Sequence, residues 1–105
     1  MVLNISAKEL KKRLLANKRI ILLDVRTKEE RDIAVIEPST WIPVNELEQR
    51  FDELDKQKEI IVYCHHGVRS EFAAKFLCEK GFKATSLAGG IDKWSEEIDE
   101  TVKRY

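Results

Sequence analysis

Residues 60–77 read IIVYCHHGVRSEFAAKFL, and this stretch decides how the rest of the chain is interpreted. The apolar run 60–63 is typical of a buried strand, and the residues after Ser70 keep the apolar spacing of a helix. Cys64 therefore lies at a turn between a strand and a helix. A helix start presents unpaired backbone N–H groups and the positive end of the helix dipole, and both favour an anion. We interpret Cys64 as a nucleophile that reacts as its thiolate and that the polar turn keeps out of the core.

The residues that follow the cysteine supply the surroundings that an anion needs. Arg69 carries a permanent positive charge, which we expect to face the sulfur anion or a neighbouring carboxylate. Gly67 and Val68 are expected to contribute mainly backbone N–H groups. Ser70 adds a hydroxyl or caps the helix. The sequence therefore predicts an anion-binding loop that begins at Cys64.

Two adjacent histidines, His65 and His66, are expected to line the mouth of this loop. Their partial protonation near neutral pH would attract an anionic donor. A structural zinc site needs about four ligands from separated segments, and the chain contains no other histidine. We therefore expect no metal in the site.

The spacing between Cys64 and Arg69 is C-x4-R. Cysteine-dependent phosphatases are similar but use C-x5-R, whose larger ring surrounds the free oxygens of a phosphoryl group. A loop that is one residue shorter suits a smaller guest. The natural candidate is a sulfane sulfur carried on Cys64 as a persulfide, with its charge held by converging backbone N–H groups.

Strand-like apolar runs alternate with amphipathic stretches along the chain. This alternation predicts an α/β fold with a five-stranded, mostly parallel sheet and helices on both faces. The later strands are expected at residues 20–24, 41–42, 60–63 and 84–87. Cys64 and Asp24 both end such strands, at the edge where parallel sheets bind ligands.

Helix boundaries are marked by capping and by glycine. Capping boxes are expected to open helices at Ser6, Thr27 and Asn45, each with a glutamate three residues later. Gly81 is expected to end the helix after the reactive loop as a left-handed cap. A Gly89-Gly90 turn opens the last helix, and residues 101–105 are expected to fray.

Length and composition limit the possible functions. The 105 residues fit one domain, 1–105, and the 19 acidic and 19 basic residues give no net charge. This balance argues against nucleic-acid or acidic-membrane partners. The chain has no long apolar run and two cysteines, so we expect a cytoplasmic protein without a disulfide. Cys78 is interpreted as an unreactive helix residue that behaves as a small buried hydrophobe.

The ordered motifs of this chain resemble those of the rhodanese-like sulfurtransferases. The matching segments are LLDVRT (22–27), IPV (42–44), the loop 64–70 and LAGG (87–90) with Trp94, so the resemblance covers about residues 4–98. The chain departs from the family at residues 34–39, AVIEPS, where members usually carry G-H-I-x-G-A. Alanine and proline there predict a differently shaped turn before the third strand.

The resemblance implies a sulfurtransferase of the thiosulfate type. Cys64 would take sulfane sulfur from a small donor such as thiosulfate, or from a protein persulfide, and pass it to a thiol, cyanide or protein acceptor without a cofactor. Asp24 and Arg26 match the family's D-V-R element and are expected to support the loop. One alternative is a sulfur-carrier module for a specific partner, and another is a cysteine phosphatase or arsenate reductase. Both a monomer and a homodimer are compatible with the sequence.

Overall fold

Five parallel strands form one sheet in a computed structural model that describes residues 3–16 and 19–105. The order across the sheet is β1-β5-β4-β2-β3. The strands are β1 (Asn4–Ile5), β2 (Ile20–Asp24), β3 (Thr40–Trp41), β4 (Glu59–Tyr63) and β5 (Lys83–Leu87). The predicted fold class is confirmed.

Helices cover both faces of the sheet. They are α1 (Ala7–Ala16), α2 (Lys28–Ile33), α3 (Leu47–Arg50), α4 (Val68–Glu79) and α5 (Gly90–Glu97), with 3-10 turns at Val44–Glu46 and Phe51–Glu53 flanking α3. Residues of α3 and α4 pack in one buried apolar cluster, and residues of α1 and α5 pack in the other. Among the described residues, no helix has the length and apolar character needed to cross a membrane.

The central strand β4 is apolar after its first residue, Glu59, because both of its faces are covered. Ile60 and Val62 point into the cluster beneath α4, whereas Ile61 and Tyr63 point into the cluster beneath α1 and α5. This alternation follows from the two-residue period of a strand. It holds the end of β4, and therefore Cys64, in a rigid frame.

The predicted capping signals have different outcomes. Thr27 caps α2 with a complete capping box, since its side chain accepts from the Glu30 N–H and the Glu30 side chain accepts from the Thr27 N–H. Ser6 accepts from the Glu9 N–H at 3.1 Å. The box expected at Asn45 is wrong. Pro43 has a φ of −58° and a 3-10 turn begins directly after it, so Asn45 lies inside that turn.

The last residues are ordered by packing, so the expectation that residues 101–105 fray is wrong. Val102 and Tyr105 pack against the cluster beneath α1 and α5, and the Val102 carbonyl accepts from Ser95 Oγ. Arg104 binds Asp92 through two hydrogen bonds of 3.0 and 3.1 Å. These contacts bring the tail to the same edge of the sheet as Cys64.

The segment 34–39, which departs from the family pattern, contacts the buried residues Arg26 and Tyr63. The Ala34 carbonyl accepts from Arg26 Nη2 at 2.6 Å, and the Ile36 N–H donates to Tyr63 Oη at 3.3 Å. The Glu37–Pro38 peptide bond is cis. The changed turn therefore contacts the buried residues behind the loop.

Candidate active site

The loop after β4 turns its backbone N–H groups toward the sulfur of Cys64. Gly67 has a φ of 112°, in the region that favours glycine, and it precedes the first residue of α4. Cys64 Sγ accepts from the Gly67 N–H at 3.1 Å and from the Ser70 N–H at 3.3 Å. It also lies 3.4 Å from Ser70 Oγ. Two main-chain donors therefore converge on one sulfur atom, as stabilisation of a thiolate requires.

The cysteine side chain is buried, and the expectation that the polar turn would keep it out of the core is wrong. Cys64 is 1% exposed and belongs to the apolar cluster beneath α4. The turn itself is polar, but Sγ is buried and accepts from the N–H groups of Gly67 and Ser70. The sulfur therefore has almost no contact with solvent in this structure.

The start of α5 holds the reactive loop from behind. The Ile91 N–H donates to the Cys64 carbonyl at 2.9 Å, and the Asp92 N–H donates to the His65 carbonyl at 3.2 Å. Gly90, with a φ of 60°, directly precedes Ile91, and a Cβ built on it would be 2.5 Å from the Cys64 carbonyl oxygen. The glycine pair predicted only as a turn therefore fixes the position of the loop.

Replacing Gly90 by alanine should destabilise the protein and displace the loop. The new methyl group would meet backbone carbonyls, which cannot rotate away. We expect a loss of about 2–3 kcal/mol in the free energy of unfolding, measured by urea denaturation. Gly81→Ala is the matched control, because Gly81 also has a positive φ but has 3.6 Å of clearance. Equal losses in the two variants would show that the contact with the loop carbonyls is unimportant.

Arg69 is paired with a carboxylate. Its guanidinium donates to both oxygens of Glu30, at 2.5 and 2.9 Å. Of the two predicted partners, the sulfur anion and a neighbouring carboxylate, the structure shows the carboxylate. The hydrogen bonds from Arg69 lower the pKa of Glu30 to about 2, against the opposing effect of burial. Glu30 was predicted only as part of a capping box. It also links α2 to the reactive loop.

Asp24 and Arg26 form a fully buried ion pair at the end of β2. Arg26 donates to Asp24 Oδ1 at 2.9 Å through Nε and to Oδ2 at 2.8 Å through Nη2. Burial acts to lower the pKa of Arg26, but hydrogen bonds to Asp24 and Tyr105 outweigh burial and leave that pKa raised. Arg26 therefore stays charged inside the protein.

Tyr105 connects this buried pair to Arg69. Its hydroxyl accepts from Arg26 Nη1 at 2.8 Å and donates to Glu30 Oε2 at 2.8 Å. Burial raises the pKa of Tyr105 to about 12, so the hydroxyl remains a donor at neutral pH. The resulting chain runs from Asp24 through Arg26, Tyr105 and Glu30 to Arg69. Its arrangement fits the supporting role expected for Asp24 and Arg26.

The two histidines form a stack with Tyr105. The rings of His65 and Tyr105 are 3.9 Å apart with an interplanar angle of 11°, and those of His65 and His66 are 3.8 Å apart. His66 is exposed, whereas the Nε2 atom of His65 is buried and has no hydrogen-bond partner within residues 3–16 and 19–105. Both histidines and Asp92 place possible ligand atoms within 4.8 Å of one another, but Arg104 already binds Asp92. The expectation of a metal-free site stays a prediction.

The remaining polar groups near the loop are buried hydroxyls. Ser70 Oγ lies 2.7 Å from Ser86 Oγ and donates to the Gly67 carbonyl at 3.1 Å.

Cys78 lies on α4 as predicted, but it is exposed, so its expected burial is wrong. Its thiol faces the Ala84 carbonyl at 3.3 Å. Both cysteines are free.

Comparison with known proteins identifies the family. The model of the rhodanese-like domain matches residues 6–97, and the chain therefore belongs to the rhodanese-like domain family. A putative sulfurtransferase of Bacillus subtilis, YtwF, is 34% identical over 93 residues, covering 89% of this chain and 90% of that protein. The thiosulfate sulfurtransferase GlpE of Coxiella burnetii is 33% identical over 82 residues, covering 77% of each.

A solved structure shows the same fold. The crystal structure of a rhodanese-related protein from Thermoplasma volcanium superimposes with a TM-score of 0.85 at 34% identity, covering 91% of this chain and 93% of that one. Parallel five-stranded architecture and sequence similarity therefore agree over nearly the whole chain. The relatives named sulfurtransferases indicate transferase chemistry for the family.

Proposed function

We propose that this protein is a thiosulfate-type sulfurtransferase that carries sulfane sulfur on Cys64 as a persulfide. The observation that carries the proposal is the convergence of the Gly67 and Ser70 N–H groups on Cys64 Sγ. Positioned N–H donors stabilise charge on sulfur without reorganising during the reaction. The cysteine, the short C-x4-R loop and the family of the chain all point to the same chemistry.

The first half-reaction transfers sulfur to the protein. The Cys64 thiolate attacks the outer sulfur of thiosulfate, the sulfur–sulfur bond of thiosulfate breaks, and its electron pair leaves with sulfite. The product is Cys64–S–S⁻. Arg69 contributes positive charge at the loop, where its guanidinium binds Glu30. If the anionic donor displaces Glu30, the guanidinium of Arg69 can bind the donor instead.

Intact mass spectrometry tests the proposal. After incubation with thiosulfate and removal of small molecules, the protein should gain the mass of one sulfur atom, and dithiothreitol should remove it. Transfer of the bound sulfur to cyanide should release thiocyanate in an equal amount. A protein that gains no mass, or whose added mass resists reduction, would contradict the persulfide.

Two results would favour the alternatives. Slow loading from thiosulfate combined with fast loading from a cysteine desulfurase would indicate a sulfur-carrier module for a protein partner. Hydrolysis of 4-nitrophenyl phosphate that depends on Cys64 would indicate a phosphatase, and it would overturn the argument from loop length. We expect neither, because the C-x4-R loop is too short to surround a phosphoryl group.

A further inference from the structure

Glu30 binds the positively charged group of the reactive loop. Arg69 is the one residue of the loop 64–70 with a permanent positive charge. Its guanidinium donates to both carboxylate oxygens of Glu30, at 2.5 and 2.9 Å. The charge that Arg69 could offer to an anionic sulfur donor is therefore already neutralised, and a carboxylate lies beside the group that such a donor would bind.

The Glu30 carboxylate is also held by groups other than Arg69. Its Oε2 atom accepts from the Tyr105 hydroxyl at 2.8 Å. Its Oε1 atom accepts from the N–H group and the hydroxyl of Thr27, both at 3.2 Å. These contacts oppose displacement of Glu30 by a donor anion, because they hold the carboxylate in position independently of Arg69.

Glu30 keeps its negative charge at neutral pH. Hydrogen bonds from Arg69 lower the pKa of Glu30 to about 2, although burial acts in the opposite direction. The Glu30 side chain is 17% exposed, so solvent screens its charge less than it screens the charge of a surface carboxylate. A full and partly shielded negative charge is therefore present next to the loop.

Glu30 and Cys64 act on the same guanidinium. Hydrogen bonds to Glu30 raise the pKa of Arg69 against the opposing effect of burial, and the negative charges of Glu30 and of the Cys64 thiolate act in the same direction. A donor that brings its outer sulfur to Cys64 therefore experiences repulsion from Glu30. This repulsion grows with the negative charge of the donor.

Resting on the proposed function, we propose that Glu30 is a specificity-determining residue that favours sulfur donors with one negative charge over dianionic donors. Specificity of this kind comes from an unfavourable contact with the disfavoured substrate. The favoured class includes thiosulfonates, R–SO₂–S⁻. The Cys64 thiolate attacks their outer sulfur, the sulfur–sulfur bond breaks, and its electron pair leaves with the sulfinate, R–SO₂⁻. The products are Cys64–S–S⁻ and the sulfinate, which together carry the two negative charges of the reactants.

Two donors of similar size and different charge test the proposal. Methanethiosulfonate has a methyl group in place of one oxygen of thiosulfate, and it carries one negative charge instead of two. We expect Glu30→Gln to shift the ratio of the two kcat/KM values roughly ten-fold toward thiosulfate. Glutamine can still serve in the capping box. Any loss in the positioning of Arg69 affects both donors alike, so the ratio reports the effect of charge.

Glu29→Gln is the matched control, because Glu29 is an exposed neighbour on α2 and its replacement changes the net charge equally. Its ratio should stay within about two-fold of that of the unmodified protein. Tyr105→Phe removes the hydroxyl that holds Glu30 and should shift the ratio toward thiosulfate by about two- to three-fold. An unchanged ratio in Glu30→Gln, or equal shifts in Glu29→Gln and Glu30→Gln, would overturn the proposal.

Binding of unreactive anions separates this proposal from the proposed function and needs no turnover. Sulfate and methanesulfonate differ by the same single charge, and in ¹⁵N-labelled protein each should shift the amide signals of Gly67 and Ser70. Glu30→Gln should strengthen sulfate binding relative to methanesulfonate binding by roughly ten-fold. This change without any sulfur transfer would uphold the charge selection and reject the sulfurtransferase. Sulfur transfer together with an unchanged ratio of the two affinities would reject the charge selection.

Discussion

Replacing Cys64 by serine is expected to abolish sulfur transfer from thiosulfate to cyanide, with a loss of at least about ten-thousand-fold in kcat/KM. The serine hydroxyl is not ionised at neutral pH and cannot hold a sulfane sulfur, so both half-reactions lose their nucleophile. The fold should survive. The hydroxyl still accepts from the N–H groups of Gly67 and Ser70, and we expect a stability change of about 1 kcal/mol.

The second cysteine offers a matched control for this variant. Cys78 is exposed on α4, and its thiol donates to the Ala84 carbonyl rather than to a residue of the reactive loop, so Cys78→Ser should keep full activity. Thiocyanate formation would be followed in both variants, with circular dichroism to check the fold. If transfer survives in Cys64→Ser and disappears in Cys78→Ser, the nucleophile is Cys78 and the role proposed for Cys64 is wrong.

The sheet could be predicted from the sequence because its signals are local. β2 agrees with the expected strand at both ends, and β4 and β3 differ from expectation by a single residue at their ends. These strands are short apolar runs between residues that favour turns, and burial on both faces makes the runs continuous. The carboxyl ends of β2 and β4 then meet by topology alone, which correctly places Asp24 and Cys64 at one edge.

The contacts around the loop could not be predicted because they join distant residues. Glu30 and Arg69 are separated by 39 positions, and Arg26 and Tyr105 by 79, so no spacing rule connects them. Tyr105 in particular follows a polar stretch whose composition favours fraying. The burial of Cys64 is also not indicated by the sequence. The inward direction of its side chain depends on the left-handed conformation of Gly67, whereas residue polarity indicates only that a turn is present.

Replacing Asp24 by asparagine is expected to lower the free energy of unfolding more than any other substitution predicted here. Asp24 accepts from the buried guanidinium of Arg26 at 2.9 and 2.8 Å, from Arg31 at 3.0 Å and from Tyr63 Oη at 3.1 Å. Without the carboxylate, the charge of Arg26 remains buried and uncompensated. Breaking one half of such a pair costs about 3–5 kcal/mol, which in a domain of this size lowers Tm by more than about 12 °C.

A surface carboxylate serves as the control, because comparing it with Asp24 separates the effect of burial from the loss of an ion pair. Asp32 also pairs with a cation, Lys28, at 2.9 Å, but both side chains are exposed, so Asp32→Asn should leave Tm unchanged in calorimetry. Asp24→Asn should also weaken sulfur transfer, because Arg26 holds Tyr105 and Tyr105 holds Glu30 against Arg69. Equal Tm values for the two variants would mean that the buried pair contributes no more than a surface pair. The Asp24–Arg26 pair would then not stabilise the contacts that lead from β2 to the reactive loop. The supporting role proposed for Asp24 and Arg26 would have to be abandoned.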